Sequence, residues 1–502
     1  MTMKPLSTST LPPRPSGLAV FVSPLTVLPG STEPEPATIV INQETGKVVD
    51  VIPGQLIRDE TSLDTRPYGD LKLDKFVEIP EGRVLLPGLV DAHVHLNQPG
   101  RTSWEGFTSG TLAAISGGVT TVIDMPLNSI PSTTSVGALE VKIKAARFVG
   151  ENKGVYCDVG FWGGIVPGNR EHLSPLIRAG VKGFKCFLIE SGVDEFPAVS
   201  EEDVRQAMIA LRGSDGLILF HAEMGEPVHG LGDDQTYQTF LKSRPDQWEV
   251  TAIEMIIRLL DEEAANPKVE NPTRAHIVHL ASAQALPLIA DARARGLPLT
   301  SETCFHYLVL SSDSVPADDH RSHTEYKCCP PIREEANREE LWQALEDGLI
   351  DYVVSDHSPC IAEMKQGGFM DAWGGISALG LGISLLWTEI CKRNERREAG
   401  ESRKKQLRLA DLVRWCCTNT AKQVGLAGQK GVIAKGADAD FVVFDPEAHF
   451  QVDLDHLKFK NKVSPYVGKD LRGRVEATYL RGLMIHDIGQ GGQIGPRWGN
   501  LI

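Results

Sequence analysis

The chain has 502 residues and a mass of 54.7 kDa, which allows about two to four domains, or one large barrel with a smaller partner domain. Its 51 Lys and Arg residues face 66 Asp and Glu residues, and the resulting net charge of −15 argues against nucleic acid as a partner. The longest apolar run, at 374–387, is too short to cross a bilayer, so no membrane partner is expected.

The 9 cysteines follow no regular spacing and contain no Cys-x-x-Cys pair. A secreted, disulfide-bonded protein is therefore disfavoured, and a cytoplasmic location is expected.

Strand-like segments near both ends of the chain predict one small β-domain built from the two termini. Residues 1–16 are rich in Pro, Ser and Thr and predict a disordered leader. Strand-type runs bounded by turn residues follow at 18–22, 38–52 and 82–91, and again at 431–445 and 474–482. We therefore predict a β-sandwich formed by residues 17–85 plus 426–490, and a C-terminal tail at 491–502.

The central segment, residues 86–425, alternates apolar β-rich runs with helical patterns. The runs lie at 88–96, 120–128, 156–164, 183–189, 216–223, 275–282, 299–308 and 352–359. Such alternation is typical of parallel strands joined by crossover helices, and eight units predict a closed (β/α)8 barrel, or TIM barrel. An open doubly wound sheet is the alternative, although no Gly-x-Gly-x-x-Gly motif follows the first run.

Several histidines and one aspartate fall where these strands end, which is where a barrel carries its functional groups. His93 and His95 end the first run, and alternate strand residues project on one face. His221, His279 and Asp356 end the fifth, sixth and eighth runs. Each one alone is typical of a buried polar group, but together they predict a site for zinc or a similar divalent ion.

Lys185 interrupts the apolar run GFKCFLI, and lysine is rarely buried without a partner. One interpretation is an ion pair with a carboxylate such as Glu190. The other is that burial lowers the pKa of the amine, so that neutral Lys185 adds CO₂. The resulting carbamate, N6-carboxylysine, is an anion that can bridge two cations.

The motifs VDAHVHLNQPG, GFKCFL, FHAE, IVHLAS, SETCFHYL, KCCPPIR and SDHSPC together resemble the cyclic amidohydrolases of the amidohydrolase superfamily. The resemblance covers nearly the whole chain. It implies a centre of two divalent metal ions, most simply zinc, bridged by a carbamylated lysine and a hydroxide. One metal would be held by His93, His95 and Asp356, the other by His221 and His279, and carbamylated Lys185 would lie between them. Asp356 would also be the catalytic acid and base, and a homotetramer is expected.

The choice of substrate depends on smaller differences. Dihydroorotases usually carry an arginine where this chain has Asn97, and without that anion clamp dihydroorotate is disfavoured. The segments GRTSWEGF and DMPLNSIPSTT resemble the allantoinases, which implies neutral allantoin as the substrate and allantoate as the product. The side chains and backbone expected to contact the substrate are Asn97, Asn128, Ser301, Cys329, His357 and Gly375.

Two alternatives stay open: a cyclic amidase of the dihydropyrimidinase or hydantoinase type, and an inactive family member that acts as a scaffold. Glu302 is expected to orient a ligand histidine, and Glu105 to close a capping box at the first barrel helix. The inserted segment 224–250 predicts either a lid or an interface.

Overall fold

The structure is a computed structural model that describes residues 14–147, 154–214, 216–226, 228, 231–233, 235–317, 323–400, 404–489 and 492–502. Residues 1–13 of the predicted disordered leader lie outside the described residues. Among the described residues, no helix combines the length and apolar character that crossing a bilayer requires.

The strands, in chain order, are β1 (Leu18–Thr26), β2 (Glu35–Asn42), β3 (Lys47–Pro53), β4 (Leu73–Glu78), β5 (Val84–Pro87), β6 (Leu89–Val94), β7 (Val119–Asp124), β8 (Asp158–Phe161), β9 (Gly163–Gly164), β10 (Phe184–Phe187), β11 (Leu217–His221), β12 (Arg274–Ile277), β13 (Leu299–Cys304), β14 (Tyr352–Val354), β15 (Phe441–Gln451), β16 (Asp470–Leu480), β17 (Leu483–Asp487) and β18 (Gln493–Ile494). The α-helices are α1 (Phe107–Ser116), α2 (Val136–Arg147), α3 (Arg170–Ala179), α4 (Glu201–Leu211), α5 (Tyr237–Ser243), α6 (Gln247–Ala264), α7 (Leu286–Ala294), α8 (Phe305–Val309), α9 (Glu335–Glu346), α10 (Gly382–Glu398), α11 (Leu409–Val413) and α12 (Asn419–Gln423).

Strands from both ends of the chain form one nine-stranded sheet, in the order β18-β17-β16-β15-β5-β1-β2-β3 with β4 paired to β1. Phe21 of β1 packs edge-on against Phe441 of β15 and Tyr479 of β16, with ring centroids 5.3 and 5.0 Å apart. These contacts belong to one apolar cluster that both halves of the sheet share. The halves therefore pack on each other in the manner of a sandwich while their backbones remain hydrogen-bonded in one sheet.

The central strands are all parallel and enclose a barrel. One sheet holds β6, β7 and β8, and another runs from β9 to β14. Only Trp162 separates β8 from β9, so these segments are parts of one strand shared by both sheets. At the other seam, the N–H of His95 donates to the carbonyl of His357 at 2.8 Å, and Val94 and His357 form a parallel bridge. The predicted (β/α)8 barrel is confirmed.

The barrel strands are buried on both faces, so their few polar residues stand out. β10 is fully buried and contains Lys185 between Phe184 and Cys186. His93 lies in β6 and His221 ends β11, while His279 and Asp356 each follow a strand by two residues. Because the carboxyl ends of parallel strands share one rim, the fold brings these side chains together.

Two predicted runs divide differently in the structure. The run at 82–91 is two strands, since β5 joins the nine-stranded sheet and β6 begins the barrel. Gly88 separates them where a Cβ atom would lie 2.2 Å from Thr120 Oγ1, so the chain passes too close to β7 for a side chain. The run at 38–52 contains the antiparallel hairpin of β2 and β3.

A buried ion cluster joins the barrel to the nine-stranded sheet. Lys430 Nζ lies 2.5 Å from Asp158 of β8, 2.9 Å from Asp438 and 2.7 Å from Asp440. Arg481 adds a second cation on Asp158. Lys430 and Asp158 are each 1% exposed, so their charges depend on one another rather than on water.

Replacing the central cation of this cluster tests how much the cluster contributes to the free energy of unfolding. In Lys430→Met, buried carboxylates lose their shared partner, and we expect a loss of about 3–5 kcal/mol in the free energy of unfolding. Denaturant titration measures this loss. The control is Lys435→Met at an exposed position five residues away, expected to change stability by less than about 0.5 kcal/mol. Equal stability of the two variants would contradict the assignment.

Candidate metal centre

One group of donor atoms gathers around Asp356. Its Oδ1 lies 3.1 Å from Nε2 of His93 and 3.3 Å from Nε2 of His95. All three residues are buried. Their donor atoms are close enough to share one metal ion.

A second group lies beside the first. Nδ1 of His221 and Nε2 of His279 are 3.0 Å apart, and Nζ of Lys185 is 3.4 Å from the same His279 nitrogen. The rings of His93 and His279 have centroids 5.5 Å apart, so the two groups are neighbours. The structure thus brings together all six residues that the sequence analysis assigns to metal binding.

The donor spacing fits divalent ions. Two ligand atoms that each lie about 2.0 Å from a tetrahedral ion are roughly 3.3 Å apart. The spacings within both groups, from 3.0 to 3.4 Å, are of this size. Within the described residues, Nε2 of His93 is also buried without a hydrogen bond of good geometry, although Asp356 is adjacent. A buried nitrogen lone pair without a hydrogen-bond partner suits a metal ligand.

Glu302 holds the outer nitrogen of His93. Its Oε1 lies 2.5 Å from Nδ1 of His93, and its Oε2 lies 3.1 Å from Nε2 of His276. This is the contact expected of a residue that orients a ligand imidazole and directs the other ring nitrogen inwards.

Glu223 holds His221 in the same way, and the sequence analysis did not identify it. Its Oε2 lies 2.7 Å from Nε2 of His221, and Arg244 pairs with both of its carboxylate oxygens. The signal was present in the motif FHAE, because Glu223 follows His221 by two residues and can return to the same side. Arg244 belongs to the inserted segment 224–250, which therefore contributes to the site.

Burial changes the acid–base properties of both groups. It lowers the pKa of Lys185 to about 8, so far more of this amine is neutral at physiological pH than for an ordinary lysine. Burial likewise lowers the pKa of His221 to about 4. Burial alone would raise the pKa of Asp356, but the neighbouring imidazoles of His93 and His95 hold it well below its usual value. Among the described residues, no ion pair joins Lys185 to Glu190.

The two groups open into a cavity of about 270 Å³. Of the residues expected to contact a substrate, Asn128, Cys329 and Gly375 line this cavity. The amide of Asn128 also lies 3.4 Å from Nδ1 of His95.

The other three expected contacts are engaged elsewhere and do not line the cavity. The Asn97 amide donates to the carbonyl of Pro359 at 3.1 Å, and the Ser301 hydroxyl donates to the carbonyl of Leu349 at 3.2 Å. Nδ1 of His357 accepts from the N–H groups of Ala378 and Leu379. These hydrogen bonds join the three side chains to backbone groups rather than to the cavity.

The predicted capping box at Glu105 is wrong, because Glu105 contacts His357 instead. Helix α1 begins at Phe107 after Gly106, with no side-chain cap. Glu105 is buried instead, with its Oε2 3.3 Å from Nε2 of His357, and it accepts from the N–H of Lys460. The Glu105 carboxylate therefore contacts the His357 ring and the backbone N–H of Lys460 and does not cap helix α1.

Backbone strain concentrates at this end of the barrel. Asn97, Asn128, His279 and Asp356 all have positive φ, at 60°, 61°, 39° and 41°. Non-glycine residues rarely adopt this conformation, and it persists where the surroundings fix a functional geometry.

Comparisons with known proteins agree with this arrangement. The profile of the Amidohydrolase family matches residues 84–484. An allantoinase of Saccharomyces cerevisiae is 46% identical, covering 91% of this chain and 93% of its own length. An allantoinase of Streptomyces avermitilis is 49% identical, covering 81% and 85% respectively.

Solved structures show the same architecture. The L-hydantoinase (dihydropyrimidinase) of Arthrobacter aurescens has a TM-score of 0.80 at 26% identity, covering 96% of this chain and 99% of its own. The dihydropyrimidinase of Brevibacillus agri has a TM-score of 0.79 at 25% identity, covering 97% and 98%. From the matched profile, the relatives and the donor groups at the barrel rim, we conclude that this chain belongs to the amidohydrolase family.

Proposed function

We propose that the protein is an allantoinase, a hydrolase that opens the cyclic amide of allantoin to give allantoate. The observation that carries this proposal is the convergence of two buried donor groups and a lysine of lowered pKa on one cavity. The two relatives named as allantoinases, at 46 and 49% identity over most of the chain, support the choice of substrate.

We further propose that the centre holds two divalent ions, zinc in the simplest case. His93, His95 and Asp356 would hold one ion, His221 and His279 the other, and Lys185 would bridge them as N6-carboxylysine. The carbamate is supported by the lowered pKa of Lys185 and by its position among imidazoles. When bound, such ions lower the pKa of a shared water and polarise a carbonyl group.

Asp356 is the residue placed to move the proton. Its low pKa keeps it an acceptor, so it takes a proton as water adds to the ring carbonyl carbon. It then gives this proton to the ring nitrogen as the carbon–nitrogen bond breaks. The products of the step are a carboxyl group and an amide nitrogen that carries the transferred hydrogen.

The cavity suits a neutral substrate rich in donors and acceptors. Asn128 supplies an amide, and Cys329 and Gly375 bring main-chain groups to the wall. The hydantoinase-type alternative has support from the solved structures, but these are only 25–26% identical. A scaffold protein is disfavoured because all six predicted ligand positions are filled and gathered in one place.

Two further proposals concern the state of the protein in the cell. The family resemblance supports a homotetramer. All 9 cysteines are free, and 8 of them are buried, which supports a reducing, cytoplasmic compartment.

The proposed activity is tested by one assay of ring opening. We expect allantoin to be hydrolysed with a kcat/KM at least about 100-fold above that for dihydrouracil, since a fold-change of this size corresponds to a few specific polar contacts. Dialysis against a chelator should abolish turnover, and zinc should restore it. Preference for dihydrouracil would establish the hydantoinase-type alternative, and absence of metal from zinc-prepared protein would establish the scaffold alternative.

Removing the lysine tests the bridge. Lys185→Ala should lose metal and activity together, because it removes the anion that is proposed to bridge the two donor groups. A short carboxylic acid should restore part of both by supplying the missing carboxylate. Metal content is measured by elemental analysis, and Lys182→Ala, three residues earlier on the chain, is the control. Full metal occupancy in Lys185→Ala without added acid would exclude the bridging role.

Changing one atom of Asp356 tests proton transfer. Asp356→Asn keeps the size of the side chain but removes the base, and we expect kcat to fall by about 10²–10⁴-fold. Metal content is measured in the same samples, because Asp356 is also a proposed ligand. A near-normal kcat at any metal occupancy would contradict the proton shuttle.

A further inference from the structure

The Lys365 side chain enters a cradle made entirely of backbone carbonyls. Its Nζ lies 2.7 Å from the carbonyl oxygen of Gly375 and 2.8 Å from that of Trp373. The carbonyl oxygens of Thr324 and Lys327 lie at 3.4 and 3.5 Å. Among the described residues, no carboxylate forms an ion pair with Lys365. The ammonium is therefore used to hold backbone, and not to neutralise an acid.

Three of these carbonyls, all except that of Thr324, belong to two separate segments that both form part of the cavity wall. One segment is 327–329 and the other is 373–375, and all six of their residues line the cavity. The N–H of Gly375 also donates to the carbonyl of Lys327 at 2.8 Å. Lys365 thus contacts both segments where they meet, on the side away from the cavity.

Two glycines of the second segment lie in close contact with their surroundings. A Cβ on Gly375, where φ is 134°, would lie 2.3 Å from the carbonyl oxygen of Ser358. A Cβ on Gly374 would lie 3.3 Å from Sγ of Cys329. The second segment therefore packs closely on its surroundings. Its contact with the first segment runs through the Gly375–Lys327 hydrogen bond, the Cys329 sulfur and Lys365.

This wall contains main-chain donors without a partner. Within the described part of the chain, the N–H groups of Cys329 and Gly374 donate no hydrogen bond. One lies in each segment, and both residues line the cavity. A neutral substrate with several carbonyl oxygens can accept from both groups only if their separation is fixed.

We propose that Lys365 is a positioning residue for substrate binding: it fixes the spacing of the two backbone segments that carry the unpartnered N–H groups of Cys329 and Gly374 at the cavity wall. The inference rests on the proposed function. Because Lys365 contacts neither donor group of the metal centre, we expect it to act on substrate affinity. Four backbone carbonyls share a single ammonium, so its removal frees both segments at once.

Lys365→Met tests this role because it keeps the length of the side chain and removes every donor. We expect KM for allantoin to rise about 10-fold or more, with kcat within about 3-fold and zinc content unchanged. The matched control is Lys462→Met, which removes an exposed lysine that also donates to a backbone carbonyl, that of Leu454 at 2.7 Å. KM of this control should equal that of the wild type.

Chemical rescue separates positioning from general stability. In Lys365→Ala, ammonium or methylammonium ions can enter the vacated carbonyl cradle, and millimolar concentrations should lower KM towards the wild-type value. The same salts should not change KM of the wild type or of Lys462→Met. If Lys365→Met does not fold, Lys365→Arg is measured, and the same rise in KM is expected because a planar guanidinium cannot reproduce the cradle.

The outcomes distinguish this inference from the function on which it rests. A wild-type protein that does not open allantoin overturns the proposed function. An active wild type, together with a folded Lys365 variant of unchanged KM, overturns the positioning role alone. A loss confined to kcat or to metal content would also overturn it, since either would assign Lys365 to the metal centre.

Discussion

The burial of Lys185 among imidazoles is the constraint on which the site depends. An amine in the middle of an apolar strand, 3.4 Å from a histidine nitrogen and without a carboxylate partner among the described residues, is costly in its charged form. The charges of Asp356 and Glu302 offset only part of this cost, since burial still lowers the pKa of Lys185 to about 8. Burial therefore favours the neutral amine on which the proposed carbamate depends.

The carboxylates around the donor groups lie on two sides of the imidazoles. Glu302 and Glu223 each hold the outer nitrogen of one imidazole, and Arg244 in turn fixes Glu223. Asp356 faces the inner side, with two histidine nitrogens on one of its oxygens. Because His93 and His221 are held from outside, their donor atoms keep their positions without help from a ligand.

Much of this arrangement could be predicted from the sequence, since it follows from periodicity. Eight β-rich runs predict the barrel, and five polar residues at the ends of those runs, together with Lys185 inside the fourth run, predict the six gathered side chains. Contacts set by loops were not accessible in this way. His357 follows Asp356 directly, but it is directed to Glu105 and to two backbone amides, and Asn97 and Ser301 are held by distant carbonyls. Lys365 gave no signal at all, because its partners are backbone atoms from segments up to 41 residues away.

The junction at Gly88 has a consequence for the order in which the molecule matures. One residue separates β5 from the strand that carries His93, and β5 pairs with β15, which begins at Phe441. During synthesis, β5 stays without this neighbour until nearly nine-tenths of the polypeptide has left the ribosome. The barrel strand that carries His93 is therefore joined, through a single glycine, to a sheet that is complete only once the C-terminal strands are made.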